Sequence, residues 1–355
     1  MRSYSNPQAP SFKLVLKKLV DTPEDFSAED LRLAMHYLFT PDLVLPEHIS
    51  AFLTALHLHH VETKPELLAA AASVLRERSV EVVVDGGQDD FVVDIVGTGG
   101  DGHNLFNVST AAGIVAAGAG VRVIKHGNKA STSASGSADL LQALGCEFNN
   151  EAKTIPRVPF FFLLAPHYHP TLELIAPYRK ALPFRTIFNV LGPLISPANP
   201  KGMVLGVPRR ELGLPFANAL KDNGVTRALV VCGQEGIDEI SCAGPTWTWE
   251  LEHGKIPEGF LHPEMFGLEP HPLETVVGGN ANANAENLET LLHLEGNIPQ
   301  SQKPLLDFVL MNAAALLVVA GRARTYTEGV KVAYESIVSG RAWDALETFR
   351  RASQR

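Results

Sequence analysis

From residue 80 onward, short β-branched runs alternate with helical patterns, and this alternation constrains the fold more than any other feature. Strands that alternate with helices are usually joined by crossover connections, which favours a largely parallel sheet covered on both faces. The predicted strands are 82–84, 91–96, 121–124, 160–164, 203–207 and 228–231. The sequence therefore predicts an α/β domain with a large, largely parallel sheet flanked by helices over residues 80–355.

Residues 1–79 show helical spacing instead, with apolar positions recurring through 12–20. Ser27 with Asp30, and Thr63 with Glu66, match the capping-box pattern that opens a helix, and Pro46 suits a first helical turn. We expect a small all-helical N-terminal domain. The mostly helical segment 169–191 interrupts the later alternation, so we expect helices from about 169–195 to join that domain.

Net charge, the N-terminal segment and the cysteines indicate which partners and which cellular compartment to expect. A net charge of −9 argues against a nucleic-acid binder, which would carry a basic surface. The N-terminus lacks the apolar core of a signal peptide, and the Gly/Ala-rich run 111–120 is too short to cross a bilayer. Cys146, Cys232 and Cys242 form no C-x-x-C pair, so buried reduced thiols are expected. A cytoplasmic protein that binds no membrane is predicted.

A glycine-rich turn follows the strand 91–96. Gly97, Gly99 and Gly100 let backbone N–H groups approach an oxyanion closely, at the start of a helix that favours negative charge. The spacing matches neither the dinucleotide fingerprint nor a Walker loop, but a plain strand-to-helix turn stays an alternative. Asn107, Ser109 and Thr110 put three polar side chains at the helix start, and at least one of them is expected to cap it.

Two further strand ends carry polar groups. Lys125, followed by His-Gly-Asn, lies where open parallel sheets bind ligands, and Ser137 opens a helix that suits a second phosphate. Asp238 and Glu239 come after the strand 228–231 and would bind Mg²⁺ if the substrate is a pyrophosphate. Of Arg179 and Arg185, one could form a fork with a substrate carboxylate, and a surface ion pair is the alternative.

Taken in order, the motifs GTGGD, N-x-S-T, KHGN, SGSAD and the Asp-Glu pair resemble the anthranilate phosphoribosyltransferase family of tryptophan biosynthesis, over nearly the whole chain. This family shares its fold group with pyrimidine nucleoside phosphorylases. The resemblance implies transfer of the phosphoribosyl group from 5-phosphoribosyl 1-pyrophosphate (PRPP) to the amine of anthranilate, with release of pyrophosphate. It also implies a homodimer joined through the helical domain.

The resemblance assigns roles to individual residues. PRPP would be held by Gly97, Gly99, Gly100, Asp101, Asn107, Ser109, Thr110, Lys125, Gly127 and Ser137. Anthranilate would be lined by His126, Asn128, His169, Arg179, Gly192 and Pro193, with Arg179 facing its carboxylate. Mg²⁺ would be ligated by Ser109, Asp238 and Glu239. No general base is assigned, because orientation of the aromatic amine should matter more than a strong base.

Three positions depart from the usual family pattern, namely Leu105, Lys129 and Ala134, where Thr, Arg and Lys are more common. The last two soften the positive charge near a phosphate, so they bear on affinity more than on identity. Two alternatives stay open. A pyrimidine nucleoside phosphorylase would show Lys-His before the glycines, where this chain has Val96 and Gly97. A catalytically silent homologue that binds a ligand is the other.

Overall fold

The computed structural model describes residues 10–86, 90–130, 134–148, 152–294 and 298–354. Its N-terminal lobe is helical, with α1 (Phe12–Asp21), α2 (Ala28–Leu38), α3 (Pro46–Leu58) and α4 (Pro65–Glu77). The predicted capping box of α2 is confirmed, because Ser27 accepts from the Asp30 N–H and Asp30 accepts in return. Pro46 occupies the first turn of α3, also as predicted.

The predicted capping box at Thr63 is wrong. Thr63 ends a short 3₁₀ turn, and its hydroxyl donates to the His60 carbonyl at 2.7 Å. The helix α4 begins two residues later at Pro65, whose missing N–H needs no cap. The proline therefore sets the start of this helix.

The second part of the chain is built around a seven-stranded sheet. Its strands are β2 (Val92–Gly97), β3 (Arg122–Gly127), β5 (Phe160–Leu164), β6 (Gly202–Gly206), β7 (Arg227–Gly233), β8 (Thr246–Glu252) and β9 (Glu258–Leu261). Their order is β5-β3-β2-β6-β7-β8-β9, and the first five are parallel. The predicted α/β class and all six predicted strands are confirmed, the first of them as β1 (Val83–Val84), which pairs in parallel with β4 (Thr154–Ile155).

The antiparallel edge of the sheet was not predicted from the sequence. The strand β8 pairs antiparallel with both β7 and β9, so the sheet is mixed. A hairpin edge on a parallel sheet carries no crossover helix. The alternation of strands with helices therefore does not reveal it.

Helices cover both faces of the sheet. They are α5 (Val108–Gly118), α6 (Ser137–Ala143), α7 (Ala165–Tyr168), α8 (Ala176–Ala181), α9 (Gly213–Asp222), α10 (Ala281–Leu292), α11 (Lys303–Val319), α12 (Tyr326–Val338) and α13 (Arg341–Ser353). The segment Gln300–Val319 is long and apolar enough to cross a bilayer, but it is 78% buried inside the protein, as the core helix of a globular domain is. Residues 305–319 are apolar nearly all round, which predicts a buried helix, and Thr325 with Glu328 matches the capping pattern. Both predictions are confirmed.

The segment between β5 and β6 packs towards the N-terminal lobe. Ile175, Ile187 and Phe188 belong to one apolar core with buried residues of α1–α4 and of one sheet face. All three are almost fully buried. The apolar contacts thus join this segment to the helical lobe, and the assignment of 1–79 and 80–355 as two domains stays a prediction.

Candidate active site

The glycine-rich turn leaves the carboxyl end of β2 in the middle of the sheet. Gly99 and Gly100 both have a φ of +73°, a conformation that favours glycine. The turn is fixed by two backbone donors: the Thr98 N–H bonds to the Gly206 carbonyl at 2.9 Å, and the Gly99 N–H bonds to Asp238 Oδ2 at 2.5 Å. The neighbouring strand β6 and the acidic loop after β7 therefore shape this turn.

A cavity of about 330 Å³ opens at these strand ends. Most of the predicted site residues line it, namely Gly97, Gly99, Gly100, Asp101, Asn107, Ser109, Lys125, His126, Gly127, Asn128, Ser137, Asp238 and Glu239. Thr110, His169, Arg179, Gly192 and Pro193 lie outside its lining. The fold thus brings the predicted PRPP and metal residues together, except Thr110, while four of the six predicted anthranilate residues lie outside this lining.

The polar side chain at the start of α5 bonds to other segments and does not cap the helix. Asn107 occupies the cap position, but the expectation that a polar side chain caps α5 there is wrong, because this amide makes no cap hydrogen bond. Instead it donates to the Ser135 carbonyl at 2.9 Å and accepts from Asn284 Nδ2 at 2.9 Å. The Thr110 hydroxyl is buried and has no hydrogen-bond partner among the described residues. Asn107 therefore joins three separate segments at the rim of the cavity.

Lys125 is a buried cation at the end of β3. Its Nζ donates to the Ile95 carbonyl and, at 3.2 Å, to Ser109 Oγ. Burial lowers the pKa of Lys125, while the carboxylate of Asp94 favours its charged form. Asp94 is itself buried on β2, where desolvation raises its pKa to about 6, and it accepts from the His126 N–H at 3.1 Å. Asp94 therefore favours a charged Lys125 ammonium at the cavity wall.

The acidic pair after β7 meets the glycine turn. Desolvation and the Asp101 charge raise the pKa of Asp238 to about 7. Desolvation and the Asp238 charge raise the pKa of Glu239 well above its usual value. Close carboxylates repel one another, and a divalent cation would relieve that repulsion. Among the described residues no three Asp, Glu, His or Cys side chains could hold a metal ion by themselves. Two carboxylates fit Mg²⁺, which completes its shell with water and phosphate oxygens.

A second group of side chains adjoins the cavity. His126 Nδ1 lies 3.2 Å from the Gly192 carbonyl, and its ring packs edge-on against His169, with centroids 5.1 Å apart. Burial lowers the pKa of His126 to about 3 and that of His169 to about 4, so both imidazoles are neutral at pH 7. His126 Nε2 has no hydrogen-bond partner among the described residues. The pair could offer neutral polar contacts to a second ligand.

The two arginines of the segment before β6 have different surroundings. Arg179 Nη2 donates to the Phe188 carbonyl at 3.4 Å, and its guanidinium lies 5.9 Å from the centroid of the Phe188 ring. Arg185 donates instead to the Thr98 and Gly99 carbonyls of the glycine turn. The arginine that touches the turn is thus Arg185, to which the sequence analysis gave no definite role.

Sequence reasoning also missed two asparagines. Asn104 accepts from the Ala134 N–H at 3.2 Å and donates to the Gly278 carbonyl at 2.7 Å. Asn284, on α10, holds Asn107 and accepts from the Gly279 N–H at 2.8 Å. The sequence indicates only that a helix starts after the Gly-Gly-Asn run that precedes α10. Nothing in the sequence placed that helix, far along the chain, against α5.

The three unusual positions lie at or near the rim. Leu105 forms an isolated antiparallel bridge with Val277 through its backbone, which any side chain permits. Lys129 and Ala134 are both exposed. Residues 131–133 of the polar run before Ser137 lie outside the described part of the chain.

The chain matches two family models. Residues 13–79 match the helical bundle domain of the glycosyl transferase family, and residues 89–343 match its a/b domain. It is 45% identical over 350 residues to the anthranilate phosphoribosyltransferase of Schizosaccharomyces pombe, covering 97% of this chain and 98% of that one.

Two solved structures of the yeast enzyme have the same fold as this chain. The Saccharomyces cerevisiae anthranilate phosphoribosyltransferase in complex with PRPP and Mg superposes with a TM-score of 0.87 at 35% identity, covering 97% of this chain and 98% of that one. The same yeast enzyme in complex with 4-fluoroanthranilate gives 0.86 at 33% identity, with 97% and 98% covered.

Proposed function

The chain belongs to the anthranilate phosphoribosyltransferase family of pentosyltransferases, and from that premise we propose that it transfers the phosphoribosyl group of PRPP to the amine of anthranilate. One observation carries the proposal. The glycine turn and the pair Asp238 and Glu239 lie on one cavity, joined by the Gly99–Asp238 hydrogen bond. This arrangement places anion-binding backbone next to metal-binding carboxylates, as a pyrophosphate leaving group requires.

PRPP binding rests on the residues that line the cavity. The backbone N–H groups of Gly99 and Gly100 belong to a turn that accommodates close approach of a phosphate, and Lys125 supplies a fixed positive charge. Asn107 and Ser137 lie at the starts of α5 and α6, where helix dipoles favour the remaining phosphate groups. Gly97, Asp101, Ser109, Thr110 and Gly127 complete the proposed set.

Mg²⁺ would be held by Ser109, Asp238 and Glu239. When bound, it would neutralise negative charge on the departing pyrophosphate. The chain's own residues keep the two acids available. Gly97 and Gly206 leave room for Asp238, and Lys125 partly balances Glu239.

Anthranilate would enter next to His126 and Asn128, with His169, Gly192 and Pro193 behind them and Arg179 facing its carboxylate. The bond between ribose C1 and the pyrophosphate oxygen breaks, and pyrophosphate leaves with the electron pair. A C1–N bond to the aromatic amine forms, and the amine loses one proton. Because both imidazoles are neutral at pH 7, they can orient this amine by hydrogen bonds without repelling the positive charge that develops on the sugar. No residue is assigned as general base.

We also propose a homodimer joined through the helical lobe. Leu14, Val20, Leu43, Leu45 and Leu58 are between 53% and 65% exposed, and all lie in or beside α1 and α3. Apolar side chains concentrated on one lobe are typical of an interaction surface. Light scattering on a sizing column tests this: a Leu14→Lys/Leu58→Lys variant should elute as a monomer if the lobe forms the interface. A cytoplasmic location stays a prediction.

The direct test follows both substrates. Incubation with anthranilate, PRPP and Mg²⁺ should consume anthranilate and release pyrophosphate in equal amounts. Phosphorolysis of thymidine or uridine would support a nucleoside phosphorylase instead, and binding of PRPP with no turnover would support a silent homologue. Asp238→Asn/Glu239→Gln should abolish Mg²⁺-dependent turnover, and the exposed Glu250→Gln serves as the matched control.

A further inference from the structure

Arg185 holds two carbonyl groups of the glycine turn. Its Nη1 donates to the Gly99 carbonyl, and its Nη2 donates to the Thr98 carbonyl at 3.2 Å. A Cβ added at Gly100 would overlap the guanidinium, so the contact is tight. Arg185 itself is not part of the cavity lining. Two successive carbonyls of the turn are thus fixed by one planar fork of donors.

The fork also decides where the N–H groups of the turn point. A trans peptide directs its C=O and N–H in opposite directions, and the described residues contain no cis peptide. With the Thr98 carbonyl on Arg185, the Gly99 N–H points away from it and donates to Asp238. By the same geometry, the Gly99 carbonyl turns the Gly100 N–H away from the guanidinium. No described residue accepts a hydrogen bond from the Gly100 N–H, so this donor remains available for an anion.

The residue before Arg185 is attached to the helical lobe. The Phe184 ring stacks on His57 of α3, with centroids 4.5 Å apart and planes at 19°. A second contact with the helical lobe is an ion pair, in which Arg209 Nη2, after β6, lies 3.3 Å from the buried Glu62. Phe184 and Arg185 therefore connect α3 directly to the backbone of the glycine turn.

We propose that Arg185 is a positioning residue for the pyrophosphate subsite: it keeps the Gly99 N–H on Asp238, turns the Gly100 N–H towards the bound anion and, through Phe184, couples that turn to the helical lobe. It touches no substrate. The inference rests on the proposed function of the cavity, and it adds a residue to which the resemblance gave no role.

The test compares two substitutions at this position. Arg185→Gln removes the charge and the fork, and we expect both the Kd for Mg²⁺-pyrophosphate by calorimetry and the KM for PRPP to rise about tenfold or more. The KM for anthranilate should change by less than about threefold, because that substrate binds elsewhere. Arg185→Lys keeps the charge but offers a point donor, so it should recover only part of the loss.

A matched control is Arg210→Gln. Arg210 begins a short 3₁₀ helix, and its guanidinium lies 3.9 Å from the Trp247 ring centroid. The side chain is 52% exposed and does not line the cavity. It should leave both KM values unchanged.

Three results would separate the possibilities. Unaltered pyrophosphate binding in Arg185→Gln, with normal wild-type turnover, overturns this inference alone. An equal rise in both KM values with a lower Tm would also overturn it, because it would show a general structural role. A wild-type protein that neither binds pyrophosphate nor consumes anthranilate refutes the proposed function itself.

Discussion

Gly206 and Asp238 are in backbone contact, and a Cβ at position 206 would overlap the carbonyl group of Asp238. Gly206 ends β6 and is paired with Gly97, which ends β2. A Cβ at Gly97 would overlap the Asp238 carboxylate. Two glycines on neighbouring strands therefore make the space through which this acid reaches the glycine turn.

Gly206→Ala should damage the site severely. The new methyl group would meet backbone atoms, which cannot swing aside as a side chain can, so Asp238 must move. We expect a loss of at least about 2 kcal/mol of folding free energy and a fall in turnover of about 100-fold. Thermal unfolding and the pyrophosphate-release assay measure the two effects.

Gly244→Ala is the control for this substitution. Its Cβ would lie 3.4 Å from the nearest atom, a side-chain oxygen of Glu235, which is an ordinary contact. It should keep wild-type Tm and activity. Normal activity in Gly206→Ala would show that the position of Asp238 is not critical.

The stability of the ligand-free protein should depend on pH through Asp238. Burial and Asp101 raise the pKa of Asp238 from 3.8 to about 7, so the native state binds this proton more tightly than the unfolded state. The stabilisation is complete below pH 3.8 and is lost as pH rises through 7. Asp238→Asn keeps an oxygen for the Gly99 N–H but cannot ionise. It should therefore stabilise the protein at pH 8, on the order of 2 kcal/mol, and much less at pH 5.

Denaturant unfolding at both pH values, without Mg²⁺, checks this. The control variant Glu250→Gln, which removes an exposed acid on β8, should keep the wild-type pH dependence because it retains Asp238. A variant that is less stable than the wild type at pH 8 would contradict the prediction, because it would mean that the Asp238 carboxylate stabilises the native state.

Arg179→Gln should affect the other substrate. This guanidinium is anchored on Phe188 and lies outside the cavity that we assign to PRPP. If it faces the anthranilate carboxylate, its loss should raise the KM for anthranilate about tenfold to 100-fold and leave the KM for PRPP nearly unchanged. Steady-state kinetics with each substrate varied in turn give the answer. The opposite pattern would move Arg179 to the PRPP subsite.

Asn284→Ala should weaken PRPP binding from a distance. Its amide holds Asn107 at 2.9 Å and accepts from the Gly279 N–H at 2.8 Å, and the residue is almost fully buried. We expect a loss of about 1–3 kcal/mol in stability and a rise of about threefold to tenfold in the KM for PRPP. Asn282→Ala, an exposed asparagine on the same helix, should change neither. An unchanged KM for PRPP would mean that Asn107 holds its position without this partner.

Local patterns were enough to predict most secondary structure. The Ser27 capping box, the proline start of α3 and the buried α11 all follow from interactions within a few residues, which a sequence displays directly. The wrong predictions came where longer-range packing decided. Thr63 bonds backward into a turn, and Asn107 turns from its helix to Asn284, which is distant in the chain.

The candidate site shows the same difference between features set by local sequence and features set by long-range packing. The chemistry of the cavity follows from residue type and order, because these alone supply glycines that permit left-handed backbone, a lysine and paired carboxylates. The arrangement of that chemistry depends on contacts made in the folded protein. Folding places Asp238 against Gly97 and Gly206 and makes Asp94 the counter-charge of Lys125. It also places Arg185 on the carbonyl groups of the glycine turn, outside the cavity lining. These contacts join residues far apart in the chain, and their partners are chosen by sheet register and packing, which no local pattern encodes.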